Sequence, residues 1–153
     1  MEQTTTKTEK ALQLFMQGYN CSQAVFAAFA ADMGMDEAAS LRLSSSFGGG
    51  MGGLREVCGA VSGMFMAMGV LHGYDVPDDA PAKAHHYARL QAMAARFTDA
   101  YGTLICRDLL QKNDILAVSI PAERNSEYYL KRPCARYVQA CAAILEDTLA
   151  QEG

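Results

Sequence analysis

The chain contains no tryptophan, only four prolines and no long apolar run, and these absences narrow the class of protein. One glycine- and alanine-rich stretch without a charged residue or histidine covers residues 57–71. These 15 residues fall short of the roughly 20 that a membrane-spanning helix needs. The N-terminal residues are polar and charged before the first apolar segment, so we expect no secretory signal. We therefore predict a cytoplasmic protein with no membrane partner.

An excess of positive charge is also missing. The chain has 13 Lys and Arg against 17 Asp and Glu, which gives a formal net charge of −4. A mildly acidic protein lacks the basic surface that binds nucleic-acid phosphates, so we expect no nucleic-acid partner. No basic amphipathic stretch suited to a membrane surface is present either. The composition leaves a homo-oligomer open.

The residues that are present suit a helical globular protein. Half of the 153 residues are hydrophobic and a fifth are charged, as in globular rather than disordered chains. No segment shows the sustained alternation of a half-buried strand, whereas apolar residues recur at helical steps. We predict an all-α fold, a single-domain compact bundle of about five to seven helices over residues 1–153, with a glycine-rich loop.

Capping residues and glycines place the ends of the predicted helices. Asn20 is suited to an N-cap, with Gln23 at the capping-box position. The clearest helix has an apolar face that begins with Tyr87 and continues through Phe97 and Tyr101. The predicted helices cover residues 7–17, 20–33, 36–44, 54–71, 81–101, 104–111 and 133–149. Residues 113–131 are poorly periodic, and we expect them to form a covering loop.

Glycine is concentrated in one short stretch, where five glycines fall within residues 48–53. Such a stretch is too costly in backbone entropy for a regular helix, so it predicts a loop. It lacks the lysine of a phosphate-binding loop and is interpreted as a connection that gives access to Cys58. After Cys58 the chain reads GAVSG, with Gly59 and Gly63 one turn apart. These small residues suit either close approach of a thiol or cofactor, or tight helix packing.

Five cysteines are present, and no two of them form a C-x-x-C pair. An odd number of thiols in a reducing cytosol argues against a framework of structural disulfides. The missing C-x-x-C pair gives no signal for a zinc ribbon or a thioredoxin-type dithiol. A four-thiolate metal or iron–sulfur site built from separate helices stays open.

Four of the cysteines, Cys21, Cys58, Cys106 and Cys134, lie near the N-terminal ends of predicted helices, with Cys58 about one turn inside its helix. The partial positive charge of a helix N-terminus stabilises a thiolate, and such sites lower a cysteine pKa from about 8.5 to between about 3.5 and 7.5. Burial in the core is the common alternative for a free cysteine. Cys141, two turns after Cys134, is expected in the core.

Few other residues are candidates for chemistry. The three histidines show no ligand-like spacing. Arg107, next to Cys106, is a candidate to stabilise a thiolate, although a solvated surface position is the commoner fate of such a residue. Glu123 and Arg124 are interpreted as ordinary loop charges.

Several motifs occur in a characteristic order: GYNCSQAV at residues 18–25, FGGG at 47–50, CGAVSG at 58–63, Cys106 with Leu109 and Leu110, and Cys134. Together they resemble the C_GCAxxG_C_C family of redox-active proteins, over about residues 18–141. In this chain Val57 precedes Cys58 and the glycine follows it. The resemblance implies a small helical protein with a thiol redox role and an unknown redox partner, and it names no substrate.

Three hypotheses for the function follow. In the first, Cys21, Cys58, Cys106 and Cys134 carry out dithiol/disulfide electron transfer, as in a thiol-disulfide oxidoreductase, and the sequence leaves any cofactor unknown. Cys58 is then the expected attacking thiolate with Cys21 as its partner, and Cys106 and Cys134 form a second pair, although four cysteines allow three connectivities. In the second, the same four cysteines bind a zinc ion or an iron–sulfur cluster. In the third, the protein is a helical interaction protein whose cysteines fill the core.

Overall fold

Helices make up most of the computed structural model, which describes residues 5–119 and 121–152. In chain order they are α1 Lys7–Met16, α2 Cys21–Ala28, α3 Ala30–Met33, α4 Glu37–Ser45, α5 Gly59–His72, α6 Ala80–Tyr101, α7 Cys106–Gln111, α8 Ser126–Lys131 and α9 Cys134–Glu152. Only Phe29 separates α2 from α3, so the described part of the chain has eight helices when these two are taken as one. No strand occurs in the described ranges, and the all-α prediction is confirmed there.

The number of helices exceeds the predicted five to seven because α8 lies where a loop was expected. Asn125 caps this helix by accepting a hydrogen bond from the backbone N–H of Tyr128 at 2.9 Å. The prediction of a loop over residues 113–131 is therefore wrong for α8, and Ile120 lies outside the described residues. A single capping residue starts this helix, although the hydrophobic periodicity of its sequence does not indicate one.

Polar side chains also cap α1, α2, α4 and α6, and the cap of α2 is the one that the sequence predicts. The Asn20 side chain accepts from the N–H of Gln23 at 2.9 Å, and the Gln23 side chain accepts from the N–H of Asn20 at 3.0 Å. This reciprocal pair is the predicted capping box, and it fixes the start of α2 at Cys21. Thr6 and Asp36 cap α1 and α4 in the same way with single hydrogen bonds.

The start of α5 differs from the prediction. The helix begins at Gly59 rather than at residue 54, because residues 55–58 pair with residues 104–107 instead. The N–H of Cys58 donates to the carbonyl of Leu104 at 2.7 Å, and the N–H of Cys106 donates to the carbonyl of Glu56 at 2.6 Å. Cys58 is consequently the N-cap of α5 and does not lie one turn inside it.

The core is centred on α2, which contacts α1, α4, α5 and α9. Every residue of α2 from Ala24 to Ala28 is buried. Gly63 of α5 lies so close to this helix that a Cβ there would be 2.7 Å from the carbonyl oxygen of Ser22. The packing alternative for Gly63 is thus correct, since the missing side chain lets the two helices meet backbone to backbone.

Two further predictions concern the buried faces of the long helices. Cys141 on α9 is fully buried among apolar residues, as predicted. On α6 the buried residues are His86, Met93 and Phe97, whereas Tyr87 is 46 % exposed. The predicted apolar face was therefore placed wrongly at its start, because Tyr87 packs against surface neighbours instead of the core.

The sequence also predicts that no helix spans a membrane. Within the ranges that the structure describes, no helix is both long enough and apolar enough to cross a membrane.

Replacing Gly63 by alanine is expected to lower the free energy of unfolding by roughly 1–3 kcal/mol, the usual cost of overpacking a core. The new Cβ would meet the backbone oxygen of Ser22 at 2.7 Å and the backbone nitrogen of Phe26 at 3.3 Å, and neither atom moves without shifting α2. Urea denaturation followed by circular dichroism measures the change.

Gly69→Ala in the same helix is the matched control. A Cβ at Gly69 meets no atom within 4 Å, so the better helix propensity of alanine should raise the free energy of unfolding by up to about 1 kcal/mol. Equal losses in the two variants would contradict the packing role of Gly63.

Candidate functional site

The four candidate cysteines line one cavity of about 360 Å³. Its wall contains Cys21, Cys58, Cys106 and Cys134, while Cys141 is not among the lining residues. Cys58 is buried and the other three are partly exposed. Residues separated by up to 113 positions in the chain thus share one enclosed space, which a sequence pattern alone does not reveal.

Gly59 lets Cys21 approach the start of α5 closely, because it has no side chain to separate them. Cys21 is the first residue of α2 and Cys58 is the N-cap of α5. A Cβ on Gly59 would lie 3.2 Å from the backbone nitrogen of Ser22 and 3.4 Å from the Cβ of Cys21. Of the two alternatives for the small residues after Cys58, close approach of a thiol therefore applies to Gly59, and helix packing applies to Gly63.

Cys106 lies on the segment 104–107 that pairs antiparallel with residues 55–58, in a register that places Cys58 opposite Leu104 and Cys106 opposite Glu56. The glycine-rich turns at residues 47–53 close over this pairing. Gly50 has φ +69°, and a Cβ there would lie 2.7 Å from the Cβ of Cys106 and 2.7 Å from the Cα of Arg55. Only glycine combines that backbone conformation with so close an approach.

Cys134 is the first residue of α9, directly after the buried Pro133. The interaction of the Cys134 sulfur with the thiol of Cys21 is the main reason that the pKa of Cys134 falls to about 7. The guanidinium groups of Arg132, Arg124 and Arg55 lower the same pKa further, while burial opposes them. Cys134 thus combines the interaction with Cys21 and nearby positive charge, the surroundings that favour a thiolate at neutral pH.

The other three thiols behave differently. Burial raises the pKa of Cys58 to about 12, although the N–H groups of Ala60 and Val61 oppose the shift. The interaction with Cys134, followed by burial, raises the pKa of Cys21 well above its ordinary value. Burial also raises the pKa of Cys106, against the effect of Arg55. The pKa values of these three thiols therefore shift opposite to the expected effect of a helix N-terminus. Desolvation is the main cause at Cys58 and Cys106, whereas at Cys21 the interaction with Cys134 comes before desolvation.

Arg55 is a residue of the site that was not predicted from the sequence. It is only 6 % exposed and has φ 61°, which places its side chain under the glycine-rich turns. Its Nε donates to the carbonyl of Val118 at 2.7 Å, and its Nη1 donates to the sulfur of Cys106 at 3.5 Å. Arg107, the sequence candidate for this role, is instead exposed and donates to the carbonyl of Leu54 at 3.4 Å.

Two more arginines of the cavity wall were not predicted. Arg124, interpreted as a loop charge, lies 4.4 Å from the ring centroid of Tyr128 and 4.6 Å from that of Phe15. Arg132 lies 4.8 Å from the Tyr128 ring on the same side of the cavity. The sequence contained one signal for such arginines, namely their position just before a cysteine. Arg132 stands two residues before Cys134, and Arg55 stands three residues before Cys58.

The residues of the cavity do not fit a mononuclear metal site. Among residues 5–119 and 121–152, no three Cys, His, Asp or Glu side chains are arranged so that they could hold one metal ion. The four thiols share a space without forming a compact ligand set. We therefore derive no step of the chemistry through a metal.

A family model described as Putative redox-active protein (C_GCAxxG_C_C) matches residues 19–148. The chain belongs to the C_GCAxxG_C_C family. The match includes all five cysteines and the arginines of the cavity. No curated protein and no solved structure is significantly similar to the chain. The description of the family thus supports a general redox role and leaves the function of each cysteine to be established.

In this C_GCAxxG_C_C protein, the rate at which iodoacetamide alkylates Cys134 is expected to rise about tenfold per pH unit below pH 7 and to level off above it. The reason is that the thiolate is the reacting form and that the pKa of Cys134 is lowered to about 7. Timed alkylation of the reduced native protein, followed by peptide mapping, measures the rate at each pH.

The buried Cys141 provides the internal control, because its thiol should stay unlabelled until the protein is denatured. Faster labelling of Cys58 than of Cys134 at neutral pH would contradict the assignment of the thiolate.

Proposed function

We propose that the protein is a thiol-based redox protein in which Cys134 and Cys21 form the dithiol/disulfide pair. The observation that carries the proposal is the single cavity whose wall contains all four candidate cysteines, in which Cys134 and Cys21 each shift the pKa of the other. A disulfide forms only between cysteines whose backbones lie close together, and this mutual effect on the two pKa values supports that closeness. The redox description of the family supports the same role.

Cys134 is the attacking thiolate in this proposal, and Cys21 is the resolving thiol. The interaction with Cys21 and the three arginines around Cys134 stabilise its negative charge. When the pair is oxidised, both sulfurs lose their protons, one S–S bond forms, and two electrons pass to the acceptor. In the disulfide the sulfur of Cys21 carries no charge, so the surroundings that disfavour its thiolate do not disfavour the oxidised state.

This pairing differs from the one expected from the sequence, where Cys58 attacked and Cys21 resolved. Cys58 is buried and its pKa is raised to about 12, so its thiolate is scarce at neutral pH. We place Cys58 and Cys106 in the second pair instead, because they lie on the two paired segments 55–58 and 104–107 and both line the cavity. In the proposal, the second pair exchanges with the first through the shared cavity.

Treating the reduced protein with one equivalent of hydrogen peroxide should form a single disulfide between Cys21 and Cys134. The balanced reaction consumes two thiols and one peroxide and yields one disulfide and two waters. Intact-mass measurement should show the loss of two hydrogens, digestion should give the cross-linked peptide, and a phosphine reductant should restore both thiols. Cys134→Ser and Cys21→Ser should each abolish this disulfide.

Cys141→Ser is the matched control, because Cys141 lies in the core rather than on the cavity wall, and this variant should still form the bond. Rapid formation of a disulfide between Cys58 and Cys21 in the Cys134→Ser protein would restore the sequence-based pairing and overturn ours. A metal mass on native protein purified without oxygen, lost when any one of the four cysteines is replaced, would favour the metal-binding alternative.

A further inference from the structure

The cavity is positively charged, although the whole chain has a formal net charge of −4. Arg55, Arg124 and Arg132 line it, and its wall contains no Asp or Glu among the described residues. None of the three arginines takes part in the ion pairs that the described side chains form. The Cys134 thiolate supplies at most one negative charge against these three guanidinium groups, and no carboxylate of the described cavity wall adds another.

Arg55 makes the strongest case for a missing anion. A buried charge is costly unless an opposite charge accompanies it, and this side chain is only 6 % exposed. A guanidinium has five N–H donors, of which the contacts to Val118 and Cys106 use two. An anion in the cavity would supply both the opposite charge and acceptors for the remaining donors.

Arg124 and Arg132 extend the positive charge along the wall. Arg124 is held in place by hydrogen bonds to the carbonyls of Phe15 at 3.4 Å and Tyr19 at 3.0 Å, and by the aromatic ring of Tyr128. Arg132 shares that ring from a second position. Fixed guanidinium groups of this kind suit carboxylates, which they bind through paired hydrogen bonds.

The cavity thus offers two kinds of recognition in one space, cationic groups and thiols. Its volume of about 360 Å³ falls at the lower end of the range for small-molecule sites. We infer that the cavity binds small disulfides that carry carboxylate groups, and that the Cys134–Cys21 pair reduces them. The inference rests on the proposed function, to which it adds the class of acceptor.

The reaction balances with no further reagent. The Cys134 thiolate attacks one sulfur of the bound disulfide, which forms a mixed disulfide and releases one carboxylate-bearing thiolate. Cys21 then loses its proton and attacks the Cys134 sulfur, which forms the Cys21–Cys134 disulfide and releases the second thiolate. Two electrons pass from the protein to the ligand, and the two released thiolates take up protons.

The first experiment compares three linear disulfides that differ mainly in charge: dianionic 3,3′-dithiodipropionate, neutral bis(2-hydroxyethyl) disulfide and dicationic cystamine. Stopped alkylation and intact mass give the rate at which each oxidises the reduced protein. The dianion should react at least about tenfold faster than the neutral disulfide, and cystamine should be slowest. Arg132→Gln should remove most of the ratio between the dianion and the neutral disulfide.

That ratio is the useful quantity, because Arg132→Gln also raises the pKa of Cys134 and so slows all three reactions alike. Arg136→Gln is the matched control, since Arg136 is exposed, lies on α9 one turn further on and is absent from the cavity wall. This control should keep the wild-type ratio. Equal loss of the ratio in both variants would reduce the effect to general surface charge and would overturn the inference.

The second experiment measures binding without any redox step. Suberate has the chain length of 3,3′-dithiodipropionate but no sulfur, so calorimetry on the reduced protein reports the anion site alone. Suberate should bind the wild type and Arg136→Gln, bind Arg132→Gln about tenfold more weakly, and protect Cys134 from iodoacetamide.

The outcomes separate the two ideas. If all three disulfides oxidise Cys134 and Cys21 at equal rates and suberate does not bind, the redox function stands and the anionic substrate class is wrong. If suberate binds but no disulfide oxidises the pair, the proposed function is wrong and so is the reduction inferred here.

Discussion

The close approach of α5 to α2 is the constraint on which the rest of the structure depends. Gly63 lets the two helices pack backbone to backbone, and Gly59 brings the N-terminal end of α5 against Cys21. Any side chain at these positions would push the two helix ends apart and open the space between their cysteines. The glycines lower the helix propensity of α5, but they permit both the buried core around α2 and the cavity beside it.

The chemistry of the cavity results from a competition between burial and charge. Burial removes the solvation that a thiolate needs, and it dominates at Cys58 and Cys106. At Cys134 the interaction with Cys21 and three guanidinium groups outweigh it. All four thiols stand at the start of a helix, but the effect of a helix dipole is weaker than the desolvation of a buried thiol. Cys134 alone among the four therefore has a lowered pKa.

The glycine-rich turns serve the site by covering it rather than by binding phosphate. Gly49 and Gly50 have φ +64° and +69°, and their carbonyls accept hydrogen bonds from the N–H groups of Arg55 and Glu56. The turns thereby fix the chain just before Cys58 in the extended form that pairs with the segment around Cys106. Arg55 is buried as a consequence, which gives the cavity its most enclosed positive charge.

The sequence alone determined the helical class, most helix boundaries, the core position of Cys141 and the family, because helical periodicity, caps and ordered motifs are local properties. Local signals could not place the start of α5, since residues 55–58 pair with residues 104–107, where Val57 lies opposite Ile105, 48 positions further along the chain. They also could not select Cys134 among the four cysteines or identify Arg55 as a cavity residue. Those features depend on burial and on charges from distant segments, which exist only once the chain has folded.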